Sequence, residues 1–502
     1  MFNDYVKKIL DASVYDVAEE TPIVPMQFLS RQLENRILAK REDLQSIFSF
    51  KIRGAYNKIS KLSASDMRKG VIAASAGNHA QGVALAAARK NIKATIVMPQ
   101  TTPGIKVKSV REYGAKVVLH GDNFNEAYLR ACELQEEHGF VFVHPYDDPD
   151  VIAGQGTIGM EIIRQCREPL DAIFVPVGGG GLIAGISAYI KYLRPEIKII
   201  GVEAEESACL AAAMRDGKRT ILENIGIFAD GVAVKQIGKE TFRIAQHCVD
   251  EVITVSADEI CAAIKDIFTD IRSIAEPAGA ISLAGIKKYV KKNNLKDQTL
   301  LSIISGANVN FDRLRFISER SEIGEKREVI MAVTIPERPG AFKKLCEALA
   351  GHNITEFNYR RSDPDNAKIF TSIQLVPGES ASDIAEKLRA KGYPVIDLSE
   401  NELAKLHIRH MIGGRAKDIE NEQVYRFQFP ERSGALMNFF NTMGRQWSLS
   451  MFHYRNYGSE FGLVFMGMQV PPDETKEFKE FLGKLNYRFI EENGNEAYEA
   501  FL

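Results

Sequence analysis

The chain has 502 residues, of which 45% are hydrophobic and 26% are charged, a composition ordinary for a soluble globular protein. Its 64 basic and 66 acidic side chains give a net charge of −2, so neither nucleic acid nor an anionic membrane is expected as a partner. No apolar run approaches the roughly 18 residues of a membrane span, and the first residues lack the pattern of a signal peptide. The length predicts about three domains.

The six cysteines and nine histidines are scattered along the chain. They show neither the spacing of a disulfide framework nor that of a zinc site. His407 and His410 lie close in sequence, but no carboxylate or cysteine accompanies them. We therefore expect a reduced cytoplasmic compartment and no bound metal.

From about residue 20 to residue 317, short apolar strands alternate with amphipathic helices, which predicts an α/β fold with a mainly parallel sheet. The clearest strands are predicted over 70–74, 94–99, 115–119, 172–177, 197–202 and 300–304. Helices are predicted between them, for example over 80–90 and 125–138. Ligands of such sheets usually bind beyond the carboxyl ends of the strands, so the loops after Ala74, Val177 and Ile304 are candidate sites.

Lys51 stands among apolar and small residues at the apparent start of a helix. A lone lysine is usually a solvated surface charge. In a partly buried pocket, however, the pKa of its amine falls and the amine can form a Schiff base.

The segment 75–79, Ser-Ala-Gly-Asn-His, follows a predicted strand and begins a helix. This pattern fits an ordinary helix N-cap and, equally well, a site where backbone N–H groups and hydroxyls receive a substrate carboxylate. His79 taken alone is more often structural than catalytic. Ser305, which also follows a strand, is a weak signal by itself.

Four consecutive glycines, residues 178–181, lie between an apolar strand and a predicted helix. Glycine allows a backbone to approach a ligand closely, and N–H groups at a helix N-terminus attract anions. A tight turn without a ligand is the plainer interpretation, but a phosphate-bearing ligand is favoured. No Gly-Lys-Ser/Thr follows, which excludes a Walker A loop, and Ile183 stands where the third glycine of a dinucleotide fingerprint belongs.

The charged stretch 319–328 predicts a linker, and beyond it the sequence repeats. The segment 333–342 is echoed by 427–436, and 357–360 is echoed by 452–455. Each copy predicts strand, helix, strand, strand, helix and strand. The predicted division is a first domain over 1–320 with a smaller nested subdomain at about 45–150, a linker over 321–328, one copy over 329–400, a connector over 401–423 and a second copy over 424–502.

Considered together, these loops closely resemble those of fold-type II pyridoxal-phosphate enzymes, and specifically the biosynthetic threonine dehydratases (threonine ammonia-lyases). The matching motifs are Ser-Phe-Lys-x-Arg-Gly-Ala at 49–55, Ser-Ala-Gly-Asn-His-Ala-Gln-Gly at 75–82, four glycines and leucine at 178–182, Ala-Glu-Pro-Ala-Gly-Ala at 275–280 and Ser-Gly-Ala-Asn at 305–308. The resemblance runs nearly end to end. It implies a catalytic domain like the tryptophan synthase β subunit, followed by two ACT-like α+β regulatory domains.

The resemblance also implies roles for individual residues around pyridoxal 5'-phosphate. Lys51 would be the catalytic residue that holds the cofactor as a Schiff base, and Phe50 would pack beside the ring. Asn78 would bond the ring hydroxyl, and Ser305 would face the pyridine nitrogen. The phosphate would be held by Gly178, Gly179, Gly180, Gly181 and Leu182. The substrate carboxylate would be received by Ser75, Ala76, Gly77, Asn78 and His79.

In the implied reaction, the Lys51 amine takes the Cα proton of L-threonine, the cofactor ring accepts the electrons and the β-hydroxyl leaves as water. The released enamine gives an imine that hydrolyses to 2-oxobutanoate and ammonia, the first step of isoleucine biosynthesis. L-Serine would likewise give pyruvate. A neutral serine at 305 would favour elimination over transamination, and Ala76, where similar serine racemases carry a serine, argues against racemisation.

The C-terminal repeat predicts an amino-acid sensor, since isoleucine inhibits this family and valine opposes the inhibition. Phe342, Tyr359 and Tyr454 are the predicted effector contacts, although aromatic residues at strand ends more often belong to a core. A simple oligomerisation module is the plainer alternative, and the family implies a homotetramer. A sister enzyme such as threonine synthase or cystathionine β-synthase, or a non-enzymatic amino-acid-binding regulator, stays open as a different function.

Overall fold

The computed structural model describes residues 2–325, 327–336, 341–350, 352–359, 365–376, 378–410, 419–430, 438–439, 442–443, 446–455 and 461–502. The chain divides into two compact units, Met1–Ser321 and Glu322–Leu502. Within the described ranges, no helix is both long enough and apolar enough to cross a membrane.

The first unit alternates strands and helices. Its strands are β1 (Ile23–Pro25), β2 (Arg36–Arg41), β3 (Val71–Ala74), β4 (Ala94–Met98), β5 (Lys116–Leu119), β6 (Val141–Phe142), β7 (Ala172–Pro176), β8 (Lys198–Ala204), β9 (Glu251–Val255) and β10 (Thr299–Ile304). Its helices are α1 (Phe2–Leu10), α2 (Gln27–Leu33), α3 (Lys51–Ser60), α4 (Ala64–Lys69), α5 (Asn78–Arg89), α6 (Gly104–Glu112), α7 (Phe124–His138), α8 (Pro149–Gln165), α9 (Gly181–Leu193), α10 (Cys209–Asp216), α11 (Lys239–Cys248), α12 (Ala257–Ile271), α13 (Pro277–Asn293) and α14 (Arg313–Gly324). Helix α14 runs past the unit boundary, so the predicted linker 321–328 is helical as far as Gly324.

The ten strands form two sheets. The larger has the order β1-β2-β10-β7-β8-β9 and is parallel except for β1, which pairs antiparallel with β2. The smaller, β5-β4-β3-β6, is wholly parallel and lies inside the predicted nested range 45–150. Strands β3, β4 and β7 are buried at every residue, because helices cover both faces of such sheets. The predicted α/β fold with a mainly parallel sheet is confirmed.

Four charged side chains from β2, the turn after it, α3 and α8 form a fully buried group. The Arg53 guanidinium donates to Glu42 at 2.8 Å and to Glu161 at 3.0 Å, and Lys40 donates to Glu161 at 2.6 Å. Burial raises the pKa of Glu42, but the charges of Arg53 and Lys40 and the hydrogen bonds from Arg53 and Thr21 together hold that pKa below its ordinary value. The four side chains (the buried ion cluster) join β2, α3 and α8.

The C-terminal unit contains two four-stranded antiparallel sheets, β12-β13-β11-β14 and β16-β17-β15-β18. Its elements are β11 (Glu328–Pro336), α15 (Ala341–Ala348), β12 (Asn353–Tyr359), β13 (Asn366–Gln374), α16 (Ala381–Ala390), β14 (Val395–Asp397), α17 (Glu402–Leu406), β15 (Glu422–Pro430), β16 (Ser448–Arg455), β17 (Phe461–Gln469), α18 (Thr475–Leu485), β18 (Arg488–Glu491) and α19 (Glu496–Phe501). The two sheets share one strand order. Both also have a register shift in the same place, between Ile354 and Glu356 and between Leu449 and Met451.

In the second copy, the first helix is predicted to follow the repeated segment 427–436. Most of residues 431–446 lie outside the described residues, although 438–439 and 442–443 are helical. The remaining order of strands and helices follows the prediction in both copies. The sequence repeat is therefore also a structural repeat.

Candidate active site

Lys51 is the first residue of α3 and is half-buried. Its Nζ donates to the Pro145 carbonyl at 3.0 Å and lies 5.2 Å from the centre of the Phe50 ring. Burial lowers the pKa of Lys51 to about 8, although the negative charge of Glu276 opposes the shift. A fraction of this amine is therefore neutral, and so nucleophilic and basic, near neutral pH.

The glycine loop connects β7 to α9, and neighbouring chain closely surrounds it. A Cβ on Gly179 would overlap the Tyr146 ring, and one on Gly178 would lie 2.9 Å from the Val232 Cα. Gly180 has φ +91°, a left-handed conformation that side chains disfavour. The glycines are therefore required both by close packing and by backbone conformation.

The backbone N–H groups of residues 178–182 find no hydrogen-bond acceptor among the residues that the structure describes. They stand at the N-terminus of α9, where the helix dipole is positive and the first N–H groups have no partner inside the helix. Such a set of donors can hold a phosphate monoester.

The segment after β6 connects this loop to Lys51. Pro145 contacts the Lys51 amine, and the next residue, Tyr146, packs against Gly179. From the other side, the Thr241 hydroxyl donates to the Gly179 carbonyl at 2.7 Å. Asp147 accepts hydrogen bonds from the N-terminal backbone of α11, the Lys239 N–H at 2.7 Å among them. These contacts hold the glycine loop beside Lys51.

The segment 75–79 connects β3 to α5, and residues 75–78 are half-buried. A Cβ on Gly77 would meet nothing within 4 Å, so there is open space at this turn. The N–H groups of Asn78 and His79 have no acceptor within the described part of the chain. This leaves two aligned donors for a carboxylate.

The His79 ring itself faces the interior. Its Nε2 is 2.8 Å from the Val143 carbonyl, and burial lowers the pKa of His79 to about 3. The imidazole is therefore neutral and structural, so only the His79 backbone faces the open turn.

Asn78 and Ser305 come together at the carboxyl ends of β3 and β10. Asn78 Nδ2 donates to Glu276 Oε1 at 2.6 Å, and Asn308 Nδ2 donates to Asn78 Oδ1 at 2.8 Å. Ser305 is buried, its hydroxyl donates to the Ala278 carbonyl at 3.3 Å, and its own carbonyl accepts from the Phe50 N–H. The structure therefore gathers Lys51, Phe50, Asn78, Ser305 and the glycine loop in one region.

Three residues at this site received no role from the sequence: Glu276, Asn308 and Tyr146. Glu276 and Asn308 lie inside two of the matching motifs, so a signal for them existed. Tyr146 follows β6, a strand of two residues that is too short for a period-two pattern to be read.

The side chains of the predicted effector contacts Phe342, Tyr359 and Tyr454 lie outside what the structure describes. Their backbones are placed: Phe342 lies in α15, Tyr359 pairs with Ile369, and Tyr454 pairs with Val464. The two tyrosines occupy equivalent places, near the ends of β12 and β16.

The chain also matches known proteins along its whole length. Residues 14–306 match the family described as "Pyridoxal-phosphate dependent enzyme", and residues 319–408 and 413–502 match "C-terminal regulatory domain of Threonine dehydratase". The chain is 51% identical to the L-threonine dehydratase biosynthetic IlvA of Burkholderia multivorans, over 100% of this chain and 99% of that protein. It belongs to the biosynthetic threonine dehydratase family. Its identity to the threonine dehydratase of Escherichia coli is 50%, over 99% of this chain and 97% of that one.

Solved structures of threonine deaminases agree with this family. The processed form of threonine deaminase isoform 2 from Solanum lycopersicum has a TM-score of 0.63 and 48% identity, covering 64% of this chain and 93% of that one. A serine racemase from Dictyostelium discoideum has a TM-score of 0.57 and 32% identity, covering 62% and 99%. The predictions of a fold-type II catalytic domain, of two following regulatory domains and of a pyridoxal-phosphate-dependent enzyme are confirmed.

The residues present fit this cofactor. The unpaired N–H groups of the glycine loop suit its phosphate, and the partly neutral Lys51 amine suits its aldehyde. Among the described residues, no group of three or more His, Cys, Asp or Glu side chains could hold a metal ion.

Proposed function

We propose that the chain converts L-threonine to 2-oxobutanoate and ammonia, the first step of isoleucine biosynthesis, and acts on L-serine to give pyruvate. The observation that carries the proposal is the half-buried Lys51 amine, with a pKa of about 8, beside a glycine loop with unpaired N–H groups. The names of the relatives, threonine dehydratase and threonine deaminase, support threonine as the substrate.

Lys51 would hold the cofactor and take the Cα proton of the substrate. When bound, pyridoxal phosphate supplies an electron sink for the carbon that loses this proton. The Cα–H and Cβ–O bonds break, water leaves, and hydrolysis of the released product gives the ketoacid and ammonia. A lysine with its ordinary pKa would be almost wholly protonated near neutral pH and could not accept the proton.

The surrounding residues would bind and orient. The N–H groups of Gly178, Gly179, Gly180, Gly181 and Leu182 would hold the phosphate. Phe50 would pack beside the ring, Asn78 would hydrogen-bond its hydroxyl and Ser305 would face its nitrogen. The turn formed by Ser75, Ala76, Gly77, Asn78 and His79 would receive the substrate carboxylate through its backbone N–H groups, and the open space at Gly77 supports this placement.

The C-terminal unit would sense isoleucine as inhibitor and valine as the opposing effector, through Phe342, Tyr359 and Tyr454. The equivalent strand positions of the two tyrosines support paired roles. Inhibition requires isoleucine to bind the less active state more tightly, because equal affinity shifts no equilibrium. The proposal extends to a homotetramer in the cytoplasm and to the domain division 1–320, 329–400 and 424–502 with its linker and connector.

The test is a ketoacid assay on cofactor-loaded protein with L-threonine, with and without isoleucine. We expect 2-oxobutanoate from threonine and a lower rate with isoleucine. Absence of 2-oxobutanoate would contradict the proposed activity, and a rate unchanged by isoleucine would contradict the proposed regulation. In parallel, Trp447 is buried, contacts Phe478 and donates to Glu474 at 2.9 Å, so its fluorescence reports changes in the second copy.

A further inference from the structure

Glu276 occupies the N-cap position of α13, yet its carboxylate makes no capping hydrogen bond to that helix. It turns instead to Asn78, the first residue of α5, where Oε1 accepts from Nδ2 at 2.6 Å. Glutamate is not among the residues preferred at N-caps, whose side chains bond the first N–H groups of their own helix. The side chain of Glu276 therefore serves the site and not its own helix.

The orientation of the Asn78 amide follows from a chain of hydrogen bonds that begins at a backbone carbonyl. The Ile47 carbonyl can only accept, so the group that faces it at 2.8 Å must be Asn308 Nδ2. The same Nδ2 donates to Asn78 at 2.8 Å, so the Asn78 atom there must be Oδ1. Asn78 Nδ2 then faces Glu276, which accepts one of its two hydrogens.

The second hydrogen of Asn78 Nδ2 has no acceptor among the described residues. If Asn308 or Glu276 were lost, the Asn78 amide could rotate and present its oxygen in place of this hydrogen. An oxygen in that place would repel the electron-rich oxygen of the cofactor ring, whereas the N–H attracts it.

The groups around Glu276 act on its pKa in opposite directions. Burial and the negative charge of Asp230 raise the pKa of Glu276 to about 7, while Asn78, Lys106 and the Asn308 backbone N–H lower it. Lys106 is paired with Asp230 at 2.6 Å, and the Lys51 amine also feels the Glu276 charge. The carboxyl therefore gains or loses its proton close to neutral pH.

We propose that Glu276 and Asn308 are positioning residues, which fix the Asn78 amide so that one Nδ2 hydrogen remains to donate to the cofactor ring hydroxyl. The proposal rests on the proposed function for the placement of the cofactor. It assigns a role to two residues that do not themselves hold the lysine, the phosphate or the substrate.

The experiment measures cofactor binding without substrate, by adding pyridoxal phosphate to the apoprotein and recording its dissociation constant and its visible absorption maximum. Glu276→Ala should weaken binding about tenfold, as the loss of a hydrogen bond to a charged group does, and shift the maximum. Glu276→Gln should restore most of the affinity, because its carbonyl accepts the same bond.

Asn308→Ala provides a second variant if Glu276→Ala fails to fold, and the same loss of affinity and spectral shift are expected from it. The matched control is Glu259→Gln, which removes a carboxylate from the first turn of α12, where it forms a capping box with Ser256. This control should leave both readouts unchanged.

Affinity and spectrum that stay unchanged in both Glu276→Ala and Asn308→Ala would overturn the proposal. So would a Glu276→Gln variant as weak as Glu276→Ala. Because threonine is absent from these measurements, a failure of threonine turnover in the wild type would contradict the proposed function alone.

Discussion

Both units bury apolar clusters, but they differ in how they bury charge. The catalytic unit buries the ion cluster of Arg53, Lys40, Glu42 and Glu161 and gathers polar residues from distant segments at the carboxyl ends of parallel strands. Among the described residues of the C-terminal unit, ion pairs such as Arg426–Glu492 and Arg409–Glu356 keep at least one side chain partly exposed. Burying charge costs stability unless each charge is paired, so the ion cluster depends on all of its partners.

Inside the C-terminal unit, each copy has a core cluster of its own, and a third cluster contains residues of both copies. The first copy packs aliphatic residues such as Val333, Ile369 and Leu388. The second packs aromatic residues such as Phe427 and Trp447. Strand order and register therefore follow the pattern of apolar positions. Aliphatic side chains fill these positions in the first copy, and aromatic side chains fill many of them in the second.

The largest expected effect is the loss of threonine turnover in Lys51→Ala, a change in the catalytic unit. Removal of this amine should lower threonine turnover by at least about 1000-fold, because it removes both the attachment of the cofactor and the base. The matched control is Lys61→Ala, at the far end of α3, where the lysine pairs with the exposed Asp11. Near-normal turnover by Lys51→Ala would refute the assignment.

Breaking the buried ion cluster should have the largest effect on the free energy of unfolding. Glu161→Ala leaves Lys40 buried without its paired carboxylate and Arg53 with Glu42 alone, and should lower the free energy of unfolding by about 3–5 kcal/mol. Urea unfolding measures this. Arg130→Ala, which removes the exposed ion pair with Glu133, should cost less than about 1 kcal/mol and serves as the control. Equal costs for the two variants would show that the buried cluster adds no particular stability.

A smaller effect is expected in the glycine loop. Gly179→Ala places a methyl group against the Tyr146 ring and should cost about 1–3 kcal/mol of stability together with cofactor affinity. Gly104→Ala, at the first residue of α6, has open space around its Cβ and should change neither quantity. Thermal unfolding and cofactor titration compare the pair, and an unaffected Gly179→Ala would contradict the close packing of the loop.

The smallest expected effect is on pH dependence. The pKa of Lys51 lies below that of an ordinary lysine, so its charged form predominates only below about pH 8. The rate of cofactor incorporation into the apoprotein should therefore rise with pH and level off above about pH 8, because the neutral amine is the nucleophile. A rate still rising steeply toward pH 10 would show an ordinary lysine. Stopped-flow absorbance measures this rate.

The order of elements was predictable because apolar periodicity and glycine placement are local properties. The motifs also predicted Lys51, the glycine loop and Ser305 as site residues. The partners of Asn78 were not predictable, since Glu276 is 198 residues away and their contact exists only after folding. Nor was the burial of Arg53, because general statistics place arginine at the surface unless a paired site is known.

The central claim is that Lys51 holds the cofactor, and chemical reduction tests it most directly. Borohydride treatment of the cofactor-loaded protein fixes pyridoxal phosphate covalently to the lysine that carries it, and peptide mass spectrometry identifies that lysine. We predict that the peptide containing Lys51 carries the added mass. Attachment to any other lysine, with Lys51 unmodified, would contradict the account.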